Sequence, residues 1–547
     1  MTMLRPSSPD SALQKSCRGV ERQEWIWVAV VSIIIVAGST VPYLTGWLAQ
    51  TPQVRFDGAV LDSSDYHSHL AKMWQGYRGD WCYRLLFTPE NHRGAYVQTF
   101  YVALGHLARV STLGLAATYQ VARTALGMLM LTTVYRFIAH FVLPIRLRRI
   151  GFLLATLASG LGWIEEILSR TLPGGVSPMS FWLIDGYLYL SLMTFPHFCL
   201  AITLLLAIFL LLLRHSEGPS AGDGLMAALL SLGLGLIHPY MLLVADLVPA
   251  LYWIIAGFGT RRMWRGLLTA AGMVLMQTPI LAYDAWVFHT QPVFANWSVQ
   301  NVTLSPPPQV YLWGYGLLLI LCAAGVRAHK LRRTRQLSFL WLWMGLVAVL
   351  IYLPWNLQRR FLEGLQVPLG ILAAVGLTHL AGRLSNMRLK RVLPAAVVAI
   401  GTVGNLYVTA GLTMGVATRH PALFWSQELL AAVDWLGEHA TWNQTILSAP
   451  ETGSLIPARI GHRVVVGHSM ETVEFETKRA AVARFYDTET SVSQRELMVD
   501  EWAVDYVFHG PHEKSLGEFD PGSAAWLVPE FRRGQVAVYR VSPGETR

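Results

Sequence analysis

Cysteine and charge are both scarce in this chain of 547 residues. The four cysteines, Cys17, Cys82, Cys199 and Cys322, are scattered and show none of the paired spacings of a zinc site or a disulfide framework, so they receive no role. Charged residues make up 14% of the chain against 53% hydrophobic, far too apolar a balance for one soluble core and its hydrated surface. There is no GxxxxGK[ST] phosphate loop, no HExxH, no CxxC and no nucleotide-binding glycine signature in a βαβ context, which leaves no visible ATP energy source. Internal repeats and low-complexity tracts are absent too. The formal charge of +9 does not point to nucleic acid, because Lys and Arg fall in short clusters between apolar runs, where they set membrane topology.

What the chain does have is a series of apolar runs, each of about 20 residues, the thickness of a bilayer's hydrocarbon core. Runs at 25–48, 118–142, 150–168, 193–213, 225–238, 239–257, 266–283, 309–327, 337–354, 362–381 and 392–413 predict about eleven transmembrane helices. The first is too long for a signal peptide and reads as a retained helix behind a cytoplasmic tail over 1–24. With this count Arg146/Arg148/Arg149, Arg261/Arg262/Arg265, Lys330/Arg332/Arg333/Arg335 and Arg383/Arg388/Lys390/Arg391 share one side with the basic N-terminal residues, and the positive-inside rule makes that side the cytoplasm. His238-Pro239 interrupts the run at 225–257, which reads as one kinked helix or two short ones.

The stretch 95–113 carries Gln98, His106 and Arg109 and is expected to be an interfacial or re-entrant helix within a large outer loop, 49–117. Beyond the polytopic region, 25–417, short β-like runs at 445–448, 463–466, 505–509 and 535–541 alternate with helical segments near 423–439 and 473–486. They predict a small extracytoplasmic α/β domain over 418–547, so the fold class is a membrane all-α bundle with a C-terminal α/β domain. The opening loop and the C-terminal region then lie on the same outer face, where they can meet.

The polar stretch Val54 to Arg93 concentrates ionisable groups: Asp57, Asp62, Asp65, His67, His69, Asp80, Glu90 and His92. Asp62 and Asp65 follow the first helix closely. A carboxylate there can take a proton from an incoming hydroxyl, or hold a divalent cation such as Mg or Mn with a neighbouring His. The plainer reading is a solvated helix that Asp65 caps. Glu165, Glu166, His197 and His238 fall at the ends of spans on the outer side, as a site for a charged substrate requires, although each alone suits an interfacial side chain that reaches water.

Arg359 and Arg360 break the positive-inside pattern at the outer end of a helix, and an anionic headgroup or pyrophosphate supplies a reason. The plainer reading is an ion pair of Arg359 with Glu363, worth about 0.3–0.5 kcal/mol if exposed. The outer loop over 287–309 offers Trp297 and the run Pro306-Pro307-Pro308 as a semi-rigid cover. The sequons at Asn296, Asn301 and Asn443 all fall outside.

Taken together, one helix, an acidic outer loop with Asp57, Asp62 and Asp65, an interfacial helix at 95–113, many further spans and a C-terminal α/β domain resemble the GT-C superfamily. These are polytopic membrane glycosyltransferases that take sugars from polyprenyl-phosphate carriers, protein mannosyltransferases and aminoarabinose transferases among them. The resemblance implies an inverting transferase in the cytoplasmic membrane, a polyprenyl-phosphate sugar as donor and a glycan, lipid or protein as acceptor. It makes Asp62 or Asp65 the catalytic carboxylate, Arg359 and Arg360 the groups that stabilise the leaving phosphate, and His67 and His69 candidates to bind that phosphate or a cation. The acidic residues are spread as DSSD before Tyr-His rather than as a tight Asp-Glu or Asp-x-Asp pair, which leaves metal dependence open. A lipid flippase is the competing class. Asp246 is the main ionisable residue inside a span, whereas alternating access calls for more such groups or for two related halves.

Overall fold

The computed structural model describes residues 19–171, 178–218, 220–326 and 335–542. Lys15, Cys17 and Arg18, and the basic residues Lys330, Arg332 and Arg333, lie outside them. Among the described residues, seven helices are long and apolar enough to cross a membrane: Arg22–Leu48, Leu115–Phe141, Pro196–Ser216, Pro239–Gly257, Arg261–Thr290, Pro308–Gly325 and Met387–Ala417. Ile145–Leu157 and Gly162–Leu168 pass the same test as a pair bent by 41°, and three shorter apolar helices, Ala221–Ile237, Leu337–Leu350 and Gln366–Gly382, take up the remaining runs. The run at 225–257 resolves into two helices, because the chain leaves the first at Ile237 and restarts through a single 3-10 turn at Pro239–Met241. The chain is a multi-pass membrane protein.

The structure falls into two compact units. The first comprises 1–41, 122–281 and 303–411. Here Gln366–Gly382 packs against two neighbours through glycine. A Cβ on Gly370 would lie 2.6 Å from the Ala155 backbone, and one on Gly376 only 1.8 Å from the Leu321 carbonyl oxygen. Such close backbone approach is how apolar helices gain contact where lipid is as apolar as the partner. The bend at 158–161 has a local cause: Gly160 has φ +67° and its Cβ position lies 1.7 Å from the Gly314 carbonyl oxygen. Groups freed at the break find other partners: Gln366 donates Nε2–H to Ala158 O, Ser159 N donates to Gly401 O at 2.7 Å and Leu161 N to Trp313 O at 3.1 Å. Arg148 is buried against Glu24 at 3.1 Å, and Tyr135 donates to the same carboxylate at 2.6 Å.

The second unit comprises 42–121, 282–302 and 412–547, so the C-terminal region folds together with the opening polar loop. Strand β1 (Val54–Phe56) from that loop pairs antiparallel with β2 (Phe424–Ser426). Helix α1 (Ser63–Arg78) and helix α2 (Thr99–Ser111) follow in the loop. After β2 come α3 (Gln427–His439), β3 (Thr445–Leu447), α4 (Pro450–Ile460), β4 (Arg463–Val464), α5 (Phe475–Tyr486), α6 (Val492–Glu501), β5 (Val504–His509), β6 (Leu527–Arg533) and β7 (Val536–Val541). Strands β3 to β7 form one mixed sheet in the order β4-β3-β5-β7-β6, parallel across β4, β3 and β5 and antiparallel across β5, β7 and β6.

Alternation along the strands sends side chains to two cores. Ile446, Phe508 and Val538 meet Leu430, Val433, Leu436 and Ile456, whereas Leu447, Val507 and Tyr539 meet Val482, Phe485 and Val499. Leu86, Phe87 and Ala71 of the opening loop belong to the first core, which ties the loop to the sheet. Two contacts to the end of α4 reinforce this: Trp74 Nε1 donates to Ala458 O at 2.9 Å and Arg78 to Ile460 O at 2.7 Å.

Helix α2, Thr99–Ser111, falls within the stretch 95–113 where an interfacial helix is expected. Its Tyr101, Val102, Leu104, Gly105 and Ala108 are buried while Leu107 and Val110 are exposed. It approaches α1 through two glycines: a Cβ on Gly76 would lie 1.9 Å from Val102 O, and one on Gly105 2.0 Å from Met73 O.

Candidate functional site

Helix α1 is built to carry polar groups into a packed interior. Its N-cap is Asp62, at φ 53° in the left-handed region that Asp tolerates, and its carboxylate accepts from Asp65 N at 3.4 Å. Gly79 ends it with φ 110° and a backbone bond to Gly76 O. The cap is therefore Asp62, not Asp65 as the plainer reading of the sequence has it. Between these caps Tyr66 to Met73, Gln75 and Gly76 are all buried, so the helix is enclosed all round and its polar side chains must find partners.

They do so in two chains of contacts. In the first, His67 Nε2 lies 2.6 Å from Asp57 Oδ1, which also accepts from Trp425 Nε1 at 2.6 Å, and His67 Nδ1 lies 3.1 Å from Ser454 Oγ. Asp57 and His67 are 2% and 4% exposed at their side chains, so this pair is enclosed. In the second, Glu471 Oε1 accepts from Lys72 Nζ at 2.7 Å and from Ser68 Oγ at 2.6 Å, while Tyr83 donates to Oε2. One turn back on its loop, His468 places Nε2 2.9 Å from Asp65 Oδ1. Asp65 is the carboxylate of this group that reaches the surface, 30% exposed against 6% for His468.

Electrostatics follow from the burial. Burial opposes charge on His468, but its bond to Asp65 and the nearby Glu471 and Asp65 carboxylates outweigh that, so the imidazole titrates above its ordinary value. Burial likewise pushes Glu471 up, and Lys72, His468 and the Ser68 hydrogen bond more than reverse it, leaving the carboxyl below its usual range. Burial and the Glu471 carboxylate hold the Tyr83 phenol well above its usual value. A partly exposed carboxylate backed by an imidazole is a proton acceptor in form.

His69 is buried and stacks on Tyr101 with ring centroids 3.9 Å apart. Of the remaining loop candidates, His92 accepts from Leu85 N at 2.9 Å and Glu90 pairs with Lys478, both bracing the loop.

The other unit holds a second cluster. Arg360 Nη1 lies 2.8 Å from Asp185 Oδ1, and Arg359 Nε lies 3.5 Å from Asp185 Oδ2. Two guanidiniums thus share one carboxylate that is 4% exposed, and Arg359 Nε has no hydrogen-bond partner among the described residues. Glu363 is not the partner of Arg359. It is fully enclosed and takes His238 Nδ1 at 2.8 Å, with Tyr240 OH at 3.4 Å. His197 meets the His238 ring edge-on at 4.9 Å, and Arg360 lies over the Phe198 ring beside it. Hence Arg359, Arg360, His197 and His238 come together in one cluster. Glu165 and Glu166 lie on Gly162–Thr171, with Tyr407 OH 3.4 Å from Glu166.

Sequence reasoning missed Asp185, His468, Glu471 and Lys72 as site residues. Asp185 carried a signal, a lone carboxylate in the apolar stretch FWLIDGYLYL. The other three had none, since their pairing spans some 400 positions.

For a divalent cation the fit is poor: among the described residues no three of His, Cys, Asp and Glu gather as a metal site, and Asp65 Oδ1 is already bonded to His468.

No protein-family profile and no curated protein sequence matches the chain. Solved structures do match its fold. The Archaeoglobus fulgidus oligosaccharyltransferase AglB, in complex with an inhibitory peptide and a dolichol-phosphate, aligns over 89% of this chain and 70% of its own, with TM-score 0.53 and 13% identity. ArnT from Cupriavidus metallidurans, bound to undecaprenyl phosphate, aligns over 95% and 98%, with TM-score 0.51 and 14% identity. The arabinofuranosyltransferase AftD from Mycobacteria aligns over 97% of this chain but 40% of its own, with TM-score 0.51 and 15% identity.

Proposed function

We propose that this chain, which has the fold of the GT-C membrane glycosyltransferases, moves a sugar from a polyprenyl-phosphate donor to an acceptor on the outer face of the cytoplasmic membrane. In this reading Asp65 takes the proton of the acceptor hydroxyl as its oxygen attacks the anomeric carbon, and the bond from that carbon to the carrier phosphate breaks with its electron pair on the phosphate. Attack opposite the leaving group inverts the anomeric centre. Arg359 and Arg360 offset the charge that develops on the phosphate, with Asp185 holding their orientation. Asp62, spent on the helix cap, and Asp57, enclosed with His67, serve the loop rather than the acceptor. The cytoplasmic N-terminus and outward C-terminal domain follow from the basic clusters by the positive-inside rule.

The observation that carries the reading is the sharing of one buried carboxylate by two arginines at a position where the topology signal disfavours cations. Two such charges call for an anion. The experiment is donor binding by purified protein in lipid: Arg359→Ala should weaken binding of a polyprenyl-phosphate sugar, and wild-type-like binding would refute the assignment.

A second reading as a lipid transporter draws on one contact, Gln277 Nε2 to Asp246 Oδ1 at 3.2 Å between two apolar helices. Lipid transport by reconstituted protein that persists in Asp65→Asn would favour it.

A further inference from the structure

The loop between β4 and α5 does more than link two elements of the sheet domain. Thr472 fixes it from both sides, donating Oγ1–H to Phe87 O at 2.7 Å and accepting from Gly467 N at 3.1 Å, while Thr472 N donates back to His468 O at 2.9 Å. Gly467 is pressed against α4 so closely that a Cβ there would lie 2.5 Å from Gly453 O. His468 sits in this rigid loop with its ring enclosed against Phe87, and both of its nitrogens are engaged. Nδ1 accepts from Met470 N at 3.3 Å, which leaves Nε2–H to donate to Asp65 Oδ1 at 2.9 Å. Behind it stands the enclosed pair of Lys72 and Glu471, 3% exposed at each side chain.

We propose that His468 is the positioning residue of the transfer reaction: its Nε2–H, fixed by the Met470 amide on Nδ1, holds Asp65 in the orientation and charge state in which it accepts the acceptor's proton. The inference rests on the reading of Asp65 as the base. It assigns the C-terminal domain a direct part in the reaction, as the donor of the group that aims the carboxylate. The imidazole donates to one oxygen of Asp65, which favours the charged form of that carboxylate and restricts its rotation. Loss of the donor removes one hydrogen bond from a partly exposed carboxylate, which loosens its orientation and makes it easier to protonate. The effect belongs on the chemical step and on the acid limb of the rate, not on donor affinity.

Substitutions of different reach separate positioning from simple packing. The Nε2 of glutamine can stand where the Nε2 of histidine stands, whereas the amide nitrogen of asparagine stops near Nδ1. Purified protein in lipid is assayed with a polyprenyl-phosphate sugar for kcat, KM and the rate–pH profile, in wild type, His468→Gln, His468→Asn and Asp65→Asn. The expected result is an inactive Asp65→Asn, a kcat reduced about 10–100-fold in His468→Asn with donor KM within twofold of wild type, an acid limb displaced to higher pH in that variant, and recovery of most of the rate in His468→Gln. An active Asp65→Asn removes the base on which the inference rests and overturns the assignment of Asp65 itself. An inactive Asp65→Asn beside a His468→Asn with wild-type kcat and pH profile leaves the base in place and overturns the role of His468. Equal losses in His468→Asn and His468→Gln, with no displacement of the acid limb, also overturn it, since packing alone would then explain the effect.

Discussion

Lys72 Nζ lies 2.7 Å from Glu471 Oε1, an ion pair enclosed inside the second unit that joins residues 399 positions apart. The pair links the opening loop to the C-terminal region of the same unit, and its cost and worth follow from its burial. Either partner alone would be an uncompensated buried charge, so Lys72→Met or Glu471→Gln should destabilise this unit by about 3–5 kcal/mol. Thermal unfolding in detergent checks this, and a midpoint unchanged within error would show the pair to be dispensable.

The same pair gives a sign to the pH dependence of stability. Glu471 titrates below its ordinary range when folded, so its contribution is complete above the unfolded value near 4.5 and is lost as pH falls through the lower folded value. His468 titrates above its ordinary value, so its contribution is complete below about 6.5 and is lost as pH rises through the folded value. Unfolding midpoints across pH should therefore be highest on the mildly acidic side of neutrality. In Glu471→Gln, a fall on acidification as steep as in wild type would contradict the assignment.

Gly76 and Gly105 let α1 and α2 touch backbone to backbone. Neither bears an ionisable group, yet Gly76→Ala would place a methyl 1.9 Å from Val102 O and force the helices apart. Overpacking of this kind costs about 1–3 kcal/mol, occasionally more. Because α1 carries Asp65, activity should fall in Gly76→Ala even at temperatures where the protein stays folded. Full activity with an unchanged unfolding midpoint would show that the pair has room to spare.

Arginine and lysine should differ at position 359. The planar guanidinium offers a fork for phosphate oxygens, and its Nε is left without a hydrogen bond among the described residues. Arg359→Lys keeps the charge but not the fork, and should weaken donor binding about tenfold, equivalent to ~1.4 kcal/mol. Isothermal titration with the lipid donor measures it, and equal affinity for Lys and Arg would reduce the site to a point charge.

Much of this was legible in the sequence because the bilayer imposes a length. The apolar runs at hydrocarbon thickness are taken up by helices, the run at 150–168 by a pair bent by 41°, and even the break at His238-Pro239 falls where proline removes a backbone donor. The sheet strands at 445–448, 463–466, 505–509 and 535–541 showed through their β-branched and aromatic residues. Strand β6 did not, since Leu527–Arg533 contains Pro529 and is largely exposed, and α4 was hidden by Pro450 and Pro457 at its start and interior. The loop carboxylates stood out by their density, but which of them is capped, enclosed or exposed depends on partners from the far end of the chain: Trp425 and Ser454 for the Asp57–His67 pair, His468 for Asp65. No local pattern carries such pairings. The same limit hid the pairing of Asp185, which takes Arg359 in place of Glu363, the partner in the plainer reading, and takes Arg360 as well.

The most direct test of the transferase reading is turnover of a polyprenyl-phosphate sugar by the purified protein in lipid, with Asp65→Asn and Arg359→Ala measured beside it. Wild type should consume the donor, Asp65→Asn should lose turnover while retaining donor binding, and Arg359→Ala should bind the donor more weakly. Wild-type protein that is folded and binds no polyprenyl-phosphate sugar would contradict the transferase reading.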